Sequence, residues 1–269
     1  MPAPVPSPLT PAAAWTQLKA GNARFVGGTP RHPHHSQWRR RDLTASQHPF
    51  VAVLSCSDSR VPPEIVFDRG LGDVFAIRNA GHALDTATLG TIEYGVGVLG
   101  TPLLAVMGHE ACGCIAAAMA AAATGEVPGG HIGPLLEHVI PSVHCAEEMG
   151  TMCAGEVMEE HVRQTVQGLL QRSTVVADAV RAGELGIVGL TYRLDDGAVT
   201  LLDWIGEVER PEDTSEETVS ALAAQQSAAQ EAGAAAAARA GIDSDAEEVA
   251  ELQEETAVEA AIVEEKLPV

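Results

Sequence analysis

Two short groups of residues in this 269-residue sequence carry side chains that could bind a metal ion. Residues 56–60 read CSDSR, and residues 109–113 read HEACG. Thiolate sulfur and imidazole nitrogen are ligands that suit Zn²⁺ in a tetrahedral site. Cys56, His109 and Cys112 are therefore candidate ligands for one Zn²⁺ ion per chain.

The fourth coordination position of such a site has two interpretations. Asp58 could bind the metal and close the site in an inactive state, or a water molecule could occupy the open position that catalysis needs. Arg60 lies two residues after Asp58 and can bind its carboxylate through two hydrogen bonds. An Asp58 held in this way stays ionised, stays off the metal and can accept a hydrogen bond from a zinc-bound hydroxide.

Short apolar runs precede both groups, as expected for buried parallel strands. Residues 50–54 read FVAVL and residues 103–107 read LLAVM, and a similar run covers residues 74–77. Two more strand-like runs, 187–192 and 199–204, flank an Asp-Asp-Gly turn. Helical patterns alternate with these runs over residues 12–26, 85–99, 111–123, 131–149 and 156–182.

This alternation predicts an α/β fold. We expect a mainly parallel central sheet of about four strands with an antiparallel edge strand, flanked by helices. The candidate ligands then follow two of the parallel strands, at the carboxyl ends where open α/β sheets place their sites.

Taken together, the two groups resemble the β-class carbonic anhydrases. In that family Cys-x-Asp-x-Arg is followed about fifty residues later by His-x-x-Cys-Gly, and the resemblance here extends to about Gly206. It implies zinc-dependent, reversible hydration of carbon dioxide to bicarbonate and a proton. It also implies a homodimer or a dimer of dimers, with sites near the subunit interface. The implied zinc ligands are Cys56, His109 and Cys112, and the implied catalytic dyad, which orients a zinc-bound hydroxide, is Asp58 and Arg60.

The resemblance also implies a substrate pocket. Gln47 matches a glutamine that lines the pocket from the neighbouring subunit, and Gly81 matches a motif glycine. The apolar or aromatic pocket positions are matched by Phe75, Ala80 and Tyr94. One departure concerns a bicarbonate-binding site that inactivates some family members and includes a tryptophan three residues before the first cysteine. This sequence has Val53 there, so that site is expected to be incomplete, although Arg78 and Tyr192 match other parts of it.

Two other classes of function fit the same residues. A related hydrolase could act on a carbon dioxide analogue, such as carbonyl sulfide or carbon disulfide. Alternatively, a non-enzymatic zinc protein could use Asp58 as a fourth ligand in a structural site, although Arg60 argues against this interpretation.

The charge distribution predicts three segments and excludes some partners. Residues 1–11 are expected to form a disordered leader, residues 12–210 the catalytic domain, and residues 211–269 an acidic Ala/Glu-rich tail that is partly helical or disordered. That tail has 15 acidic and two basic residues, which accounts for most of the net charge of −21. Such a chain is a poor partner for nucleic acid or an anionic membrane, while its tail could bind a protein.

The cysteine count and the absence of a secretory pattern indicate a compartment. Five irregularly spaced cysteines do not resemble a disulfide framework. The first residues lack the basic and apolar regions of a secretory signal. We therefore expect a cytoplasmic enzyme with reduced thiols.

Overall fold

The structure, a computed structural model, describes residues 9–151 and 153–208 and contains one β-sheet within them. Its strands are β1 (Val51–Cys56), β2 (Val74–Asn79), β3 (Leu103–His109), β4 (Gly186–Tyr192) and β5 (Val199–Ile205). Their order in the sheet is β2-β1-β3-β4-β5. Strands β1 to β4 are parallel, and β5 pairs antiparallel with β4. The predicted fold class is confirmed.

Apolar strands form the centre of the sheet. Every residue of β1, β3 and β4 is buried, because parallel strands in such folds are covered on both faces. At the edge of the sheet, β2 fully buries only Ile77. Aromatic residues make up 3% of the chain, so valine, leucine, isoleucine and alanine fill most of this core.

Helices cover the sheet in the described part of the chain. They are α1 (Pro11–Val26), α2 (Gln37–Asp42), α3 (Pro63–Val66), α4 (Thr86–Gly97), α5 (Gly113–Thr124), α6 (Ile132–Leu136), α7 (Ile140–Glu148), α8 (Ala154–Arg172) and α9 (Thr174–Arg181). A 3₁₀ turn covers Ala80–His82. None of the described helices combines the length and apolar character needed to span a bilayer.

The single helix predicted over residues 131–149 was wrong, since α6 and α7 divide this segment. Pro141 lies in the first turn of α7. Proline has no N–H and clashes with the preceding turn inside a helix, but it is well tolerated at a helix start. The chain therefore ends α6 at Leu136 and begins a new helix at Ile140.

The helix predicted over residues 156–182 is also divided. Ser173 has an extended backbone, with φ −127° and ψ 114°, and ends α8. Its hydroxyl accepts a hydrogen bond from the N–H of Val176 at 3.2 Å and so caps α9. Val175, in the first turn of α9, is 37% exposed after this break.

The connections between strands place the predicted ligands together at the carboxyl ends of the parallel strands. After β1 the chain passes to β2 on one side, and it then returns across β1 to form β3 on the other side. The crevice at such a reversal, at the carboxyl ends of the strands, is the usual ligand site of an open α/β sheet. Cys56 ends β1 and His109 ends β3, so both lie at this crevice.

The predicted segment boundaries fall mainly outside the described residues. Residues 1–8 of the predicted leader and the tail beyond residue 208 belong to the part of the chain not described. The division into leader, catalytic domain and acidic tail stays a prediction.

Candidate active site

Three buried side chains meet at the carboxyl ends of β1 and β3. The ligand atoms of Cys56, His109 and Cys112 all lie within 4.8 Å of one another. Cys112 directly precedes α5, and the residue before it, Ala111, has a positive φ of 50°. This turn, which L-residues rarely adopt, brings Cys112 back toward His109. Residues separated by more than fifty positions therefore converge on one point.

The imidazole of His109 is held in one orientation. Its Nδ1 lies 2.8 Å from the backbone oxygen of Glu110. A carbonyl can only accept, so Nδ1 carries the proton and Nε2 keeps a free lone pair. Nε2 is buried and has no hydrogen-bond partner within the described ranges. A buried nitrogen left without a partner, with the other nitrogen fixed by a carbonyl, is typical of a metal-binding histidine.

The two cysteines interact strongly with each other. The hydrogen bond from Cys112, opposed by burial, is the main cause that lowers the pKa of Cys56 from about 9 to about 4. The pKa of Cys112 is raised, first by that hydrogen bond and then by burial. The pair thus shares one proton and holds one thiolate. A soft metal ion would displace the remaining proton, so this donor set fits Zn²⁺.

Asp58 and Arg60 form an ion pair beside the three ligand atoms. Arg60 Nε donates to Asp58 Oδ1 at 2.9 Å, and Nη2 donates to Oδ2 at 2.7 Å. The backbone N–H of Arg60 also donates to Oδ1 at 2.9 Å. The guanidinium is the main cause that lowers the pKa of Asp58 below its usual range. The ionised carboxylate lies near the cluster, with Oδ2 4.0 Å from His109 Nε2.

Arg78 supports the loop that carries these residues. Its Nε donates to the backbone oxygen of Cys56 at 3.0 Å, and its Nη2 donates to that of Asp58 at 2.7 Å. The sequence did not predict this role, because the resemblance places Arg78 only in the incomplete bicarbonate site. The pairing of Arg78 with Ser55 in the sheet is the signal that places it beside the loop.

The predicted pocket residues divide into two groups. Gly81 has a φ of 67° and donates its N–H to Cys56 Sγ at 3.4 Å, and Ala80 is the first residue of the same turn. Phe75 pairs with Ala52 and lies four residues before Asn79, which ends β2, a distance of about 13 Å along the strand. Its ring stacks on Tyr94, with centroids 6.2 Å apart.

Tyr94 and Gln47 line a cavity of about 590 Å³ together with Arg40 of α2 and residues 43–46, which follow that helix. None of the three ligand residues lines this cavity. Within one chain, the structure therefore brings Gly81 and Ala80 to the cluster and leaves Gln47, Phe75 and Tyr94 in a separate region.

Val53, at the position where some family members have a tryptophan, lies deep in the sheet. Val53 is fully buried in β1, where it pairs with Ala76 on one side and Ala105 on the other. Tyr192 ends β4 and pairs with His109.

Comparisons with known proteins identify the family to which the chain is similar. A sequence profile of the family described as carbonic anhydrase matches residues 51–199. The chain is 47% identical to carbonic anhydrase 2 of Mycobacterium tuberculosis over 198 residues, which cover 74% of this chain and 96% of that protein. It is equally identical, with the same coverage, to a carbonic anhydrase of Mycolicibacterium smegmatis.

Solved structures show the same fold. A β-carbonic anhydrase of Aspergillus fumigatus superposes with a TM-score of 0.55 and 26% identity, over 78% of this chain and 94% of that one. A Coccomyxa β-carbonic anhydrase bound to acetazolamide gives a TM-score of 0.54 and 26% identity, over 61% and 77% of the two chains.

Proposed function

The chain belongs to the β-class carbonic anhydrases, enzymes that hydrate carbon dioxide, and on that premise we propose that it performs this reaction at one Zn²⁺ ion bound by Cys56, His109 and Cys112. The support for these ligands is the convergence of two sulfurs and one unpartnered imidazole nitrogen within 4.8 Å. When bound, zinc lowers the pKa of a coordinated water to about 7, a magnitude for which carbonic anhydrase itself is the standard example.

In this proposal Asp58 orients the attacking water. Its carboxylate is ionised at neutral pH, and Arg60 lowers its pKa further below the ordinary value, so it is an acceptor and a poor base. Oδ2 can accept a hydrogen bond from the O–H of a water beside the cluster and so direct a lone pair of that water's oxygen toward carbon dioxide. The charged acceptor also makes this hydrogen bond stronger than a neutral pair.

The ion pair between Arg60 and Asp58 supports a catalytic zinc site over a structural one. Two side-chain hydrogen bonds and one backbone hydrogen bond hold both carboxylate oxygens. Three protein ligands then leave one position open, as catalytic zinc sites do, whereas structural sites use four protein ligands.

We further propose that the active unit is a homodimer or a dimer of dimers. Gln47 is exposed, and Tyr94 and Leu71, which line the same cavity, are 49% and 44% exposed. Large apolar groups exposed around one cavity are typical of a contact surface. A second copy on this surface would place its Gln47 near the substrate pocket of the first.

A reducing compartment accounts for the thiols. All five cysteines are free, which is typical of cytoplasmic proteins. We propose a cytoplasmic location, and a protein partner for the acidic tail stays a prediction outside the described residues.

A stopped-flow assay of carbon dioxide hydration, with zinc content measured on the same samples, tests the zinc assignment. Cys56→Ala and His109→Ala should lose zinc and activity together. Cys153→Ser is the matched control because this cysteine is exposed and outside the cluster, and it should keep both. Full zinc content in both ligand variants would refute the assignment.

A further inference from the structure

A buried imidazole on α8 contacts the turn that precedes the fourth helix. His161 is 2% exposed, and its Nε2 lies 2.9 Å from the backbone oxygen of Gly81. Its Nδ1 lies 2.9 Å from the hydroxyl of Ser142 on α7. The contact with Gly81 joins residues 80 positions apart in the sequence.

The partners of His161 define its protonation state. The Gly81 carbonyl can only accept, so Nε2 carries the proton and donates it. Burial is the main cause that lowers the pKa of His161 to about 4. The imidazole is therefore neutral at physiological pH and presents a fixed donor to Gly81.

Gly81 connects this donor to the candidate metal centre. Its carbonyl accepts from His161, while its N–H donates to Cys56 Sγ at 3.4 Å. The next residue, His82, has a φ of 42°, in the left-handed region that costs a non-glycine residue free energy, so surrounding contacts must hold this turn. The His82 ring packs on His161, with centroids 4.4 Å apart.

Loss of the His161 donor would release this turn. The carbonyl of Gly81 would then be buried without a partner, which favours rotation of the backbone toward another donor. The carbonyl and the N–H of Gly81 lie on adjacent peptide planes joined at its Cα, so displacement of the released turn as a whole would move the N–H of Gly81 away from Cys56 Sγ. Hydrogen bonds to metal-binding thiolates orient the ligand and tune its affinity.

We propose that His161 is a positioning residue of the zinc site, acting on Cys56 through the backbone of Gly81. The proposal rests on the proposed function, because it assumes that Cys56 binds zinc. It assigns His161 no contact with metal or substrate.

The test compares three full-length variants with the wild type. His161→Leu removes the donor, and His161→Gln restores one, since its amide nitrogen can reach the place of Nε2. Thr165→Val is the matched control, because Thr165 is buried one turn along the same helix and donates to the backbone oxygen of His161 at 2.7 Å. The measurements are zinc affinity by chelator competition and the thiolate-to-metal absorption band of the Co²⁺-substituted protein.

We expect His161→Leu to weaken zinc binding about tenfold, the lower end of the effect of supporting residues around metal sites, and to shift the Co²⁺ band. His161→Gln should recover most of both, and Thr165→Val should change neither. If His161→Leu does not fold, His161→Met replaces it, since methionine adapts to irregular cores and has no donor.

The outcomes separate the two proposals. A wild type that binds no zinc refutes the proposed function. A zinc-binding wild type with unchanged affinity and band in His161→Leu refutes the positioning role alone. If Thr165→Val loses as much zinc affinity as His161→Leu, helix packing is responsible and the positioning role is refuted. A folded His161→Gln that recovers neither zinc affinity nor the Co²⁺ band would also refute it.

Discussion

Replacement of Gly108 by alanine probes how the packing of α8 against β3 positions His109, the next residue. A Cβ atom at Gly108 would lie 2.4 Å from Met158 Sδ and 2.8 Å from Val162 Cγ2. Apolar heavy atoms prefer separations of about 3.5–4.0 Å. The two side chains would therefore have to retreat by roughly 1 Å, away from a strand that is buried along its whole length.

The two neighbours differ in their ability to move. Met158 is flexible and can change rotamer, but Val162 is fully buried in α8, where a valine has one strongly preferred χ1. Overpacking of this kind costs about 1–3 kcal/mol. The reduced backbone entropy of alanine in the unfolded chain offsets about 0.4–1 kcal/mol, so we expect Gly108→Ala to lower the free energy of unfolding by about 1–2 kcal/mol.

Urea denaturation followed by circular dichroism, with zinc content measured in parallel, provides the assay. Gly90→Ala is the matched control, since a Cβ there meets nothing within 4 Å and the residue lies in α4; it should stabilise by about 0.5–1 kcal/mol. Val162→Ala should make room for the new methyl group, so the double variant should lose less than the sum of the single losses. Wild-type stability in Gly108→Ala, with strictly additive effects in the double variant, would refute this reasoning.

Three further predictions concern the charge of Asp58, the burial of His161 and the acidic tail. Asp58→Asn should keep its zinc and lose about 10²-fold or more in the hydration rate, because a neutral amide cannot act as the ionised acceptor; an unchanged stopped-flow rate would contradict the dyad. The free energy of unfolding should fall as the pH drops from about 6.5 toward 4. The unfolded histidine takes up its proton first, because burial lowers the pKa of His161 to about 4 in the folded chain. Across this pH range the free energy of unfolding should fall by about 3 kcal/mol in total. Urea denaturation at several pH values measures this fall, which should be smaller in His161→Gln. Removal of residues 211–269 should leave the zinc content, hydration rate and oligomer size unchanged, and aggregation or zinc loss in the shortened protein would show that the tail belongs to the fold.

The divided helices show where the sequence pattern was insufficient. The apolar spacing is continuous through residues 156–182, so periodicity alone predicts one helix. The break at Ser173 depends on a tertiary contact, because its hydroxyl donates to Glu93 on α4 at 2.7 Å while it caps α9. A hydrogen bond between residues 80 positions apart leaves no local signal.

The pocket residues show a similar limit. Gln47, Phe75 and Tyr94 were assigned to one pocket by resemblance, and in a single chain they lie in a region separate from the ligand cluster. The resemblance assigned Gln47 to the pocket of a neighbouring subunit, so this pocket depends on the association of two chains and stays a prediction.

The sequence by itself determined the fold class and the candidate zinc ligands. Alternating apolar runs and helical patterns indicate parallel strands through burial, and thiolates and imidazole at strand ends indicate a zinc site through ligand chemistry. Only the tertiary structure decided how the site is held. The pairing of Arg78 with β1, the carbonyl that fixes His109, and the contact of His161 with Gly81 join residues that are distant in the chain or act through backbone atoms. Backbone carbonyls and N–H groups are common to nearly all residues, so the sequence does not reveal which of them support a site.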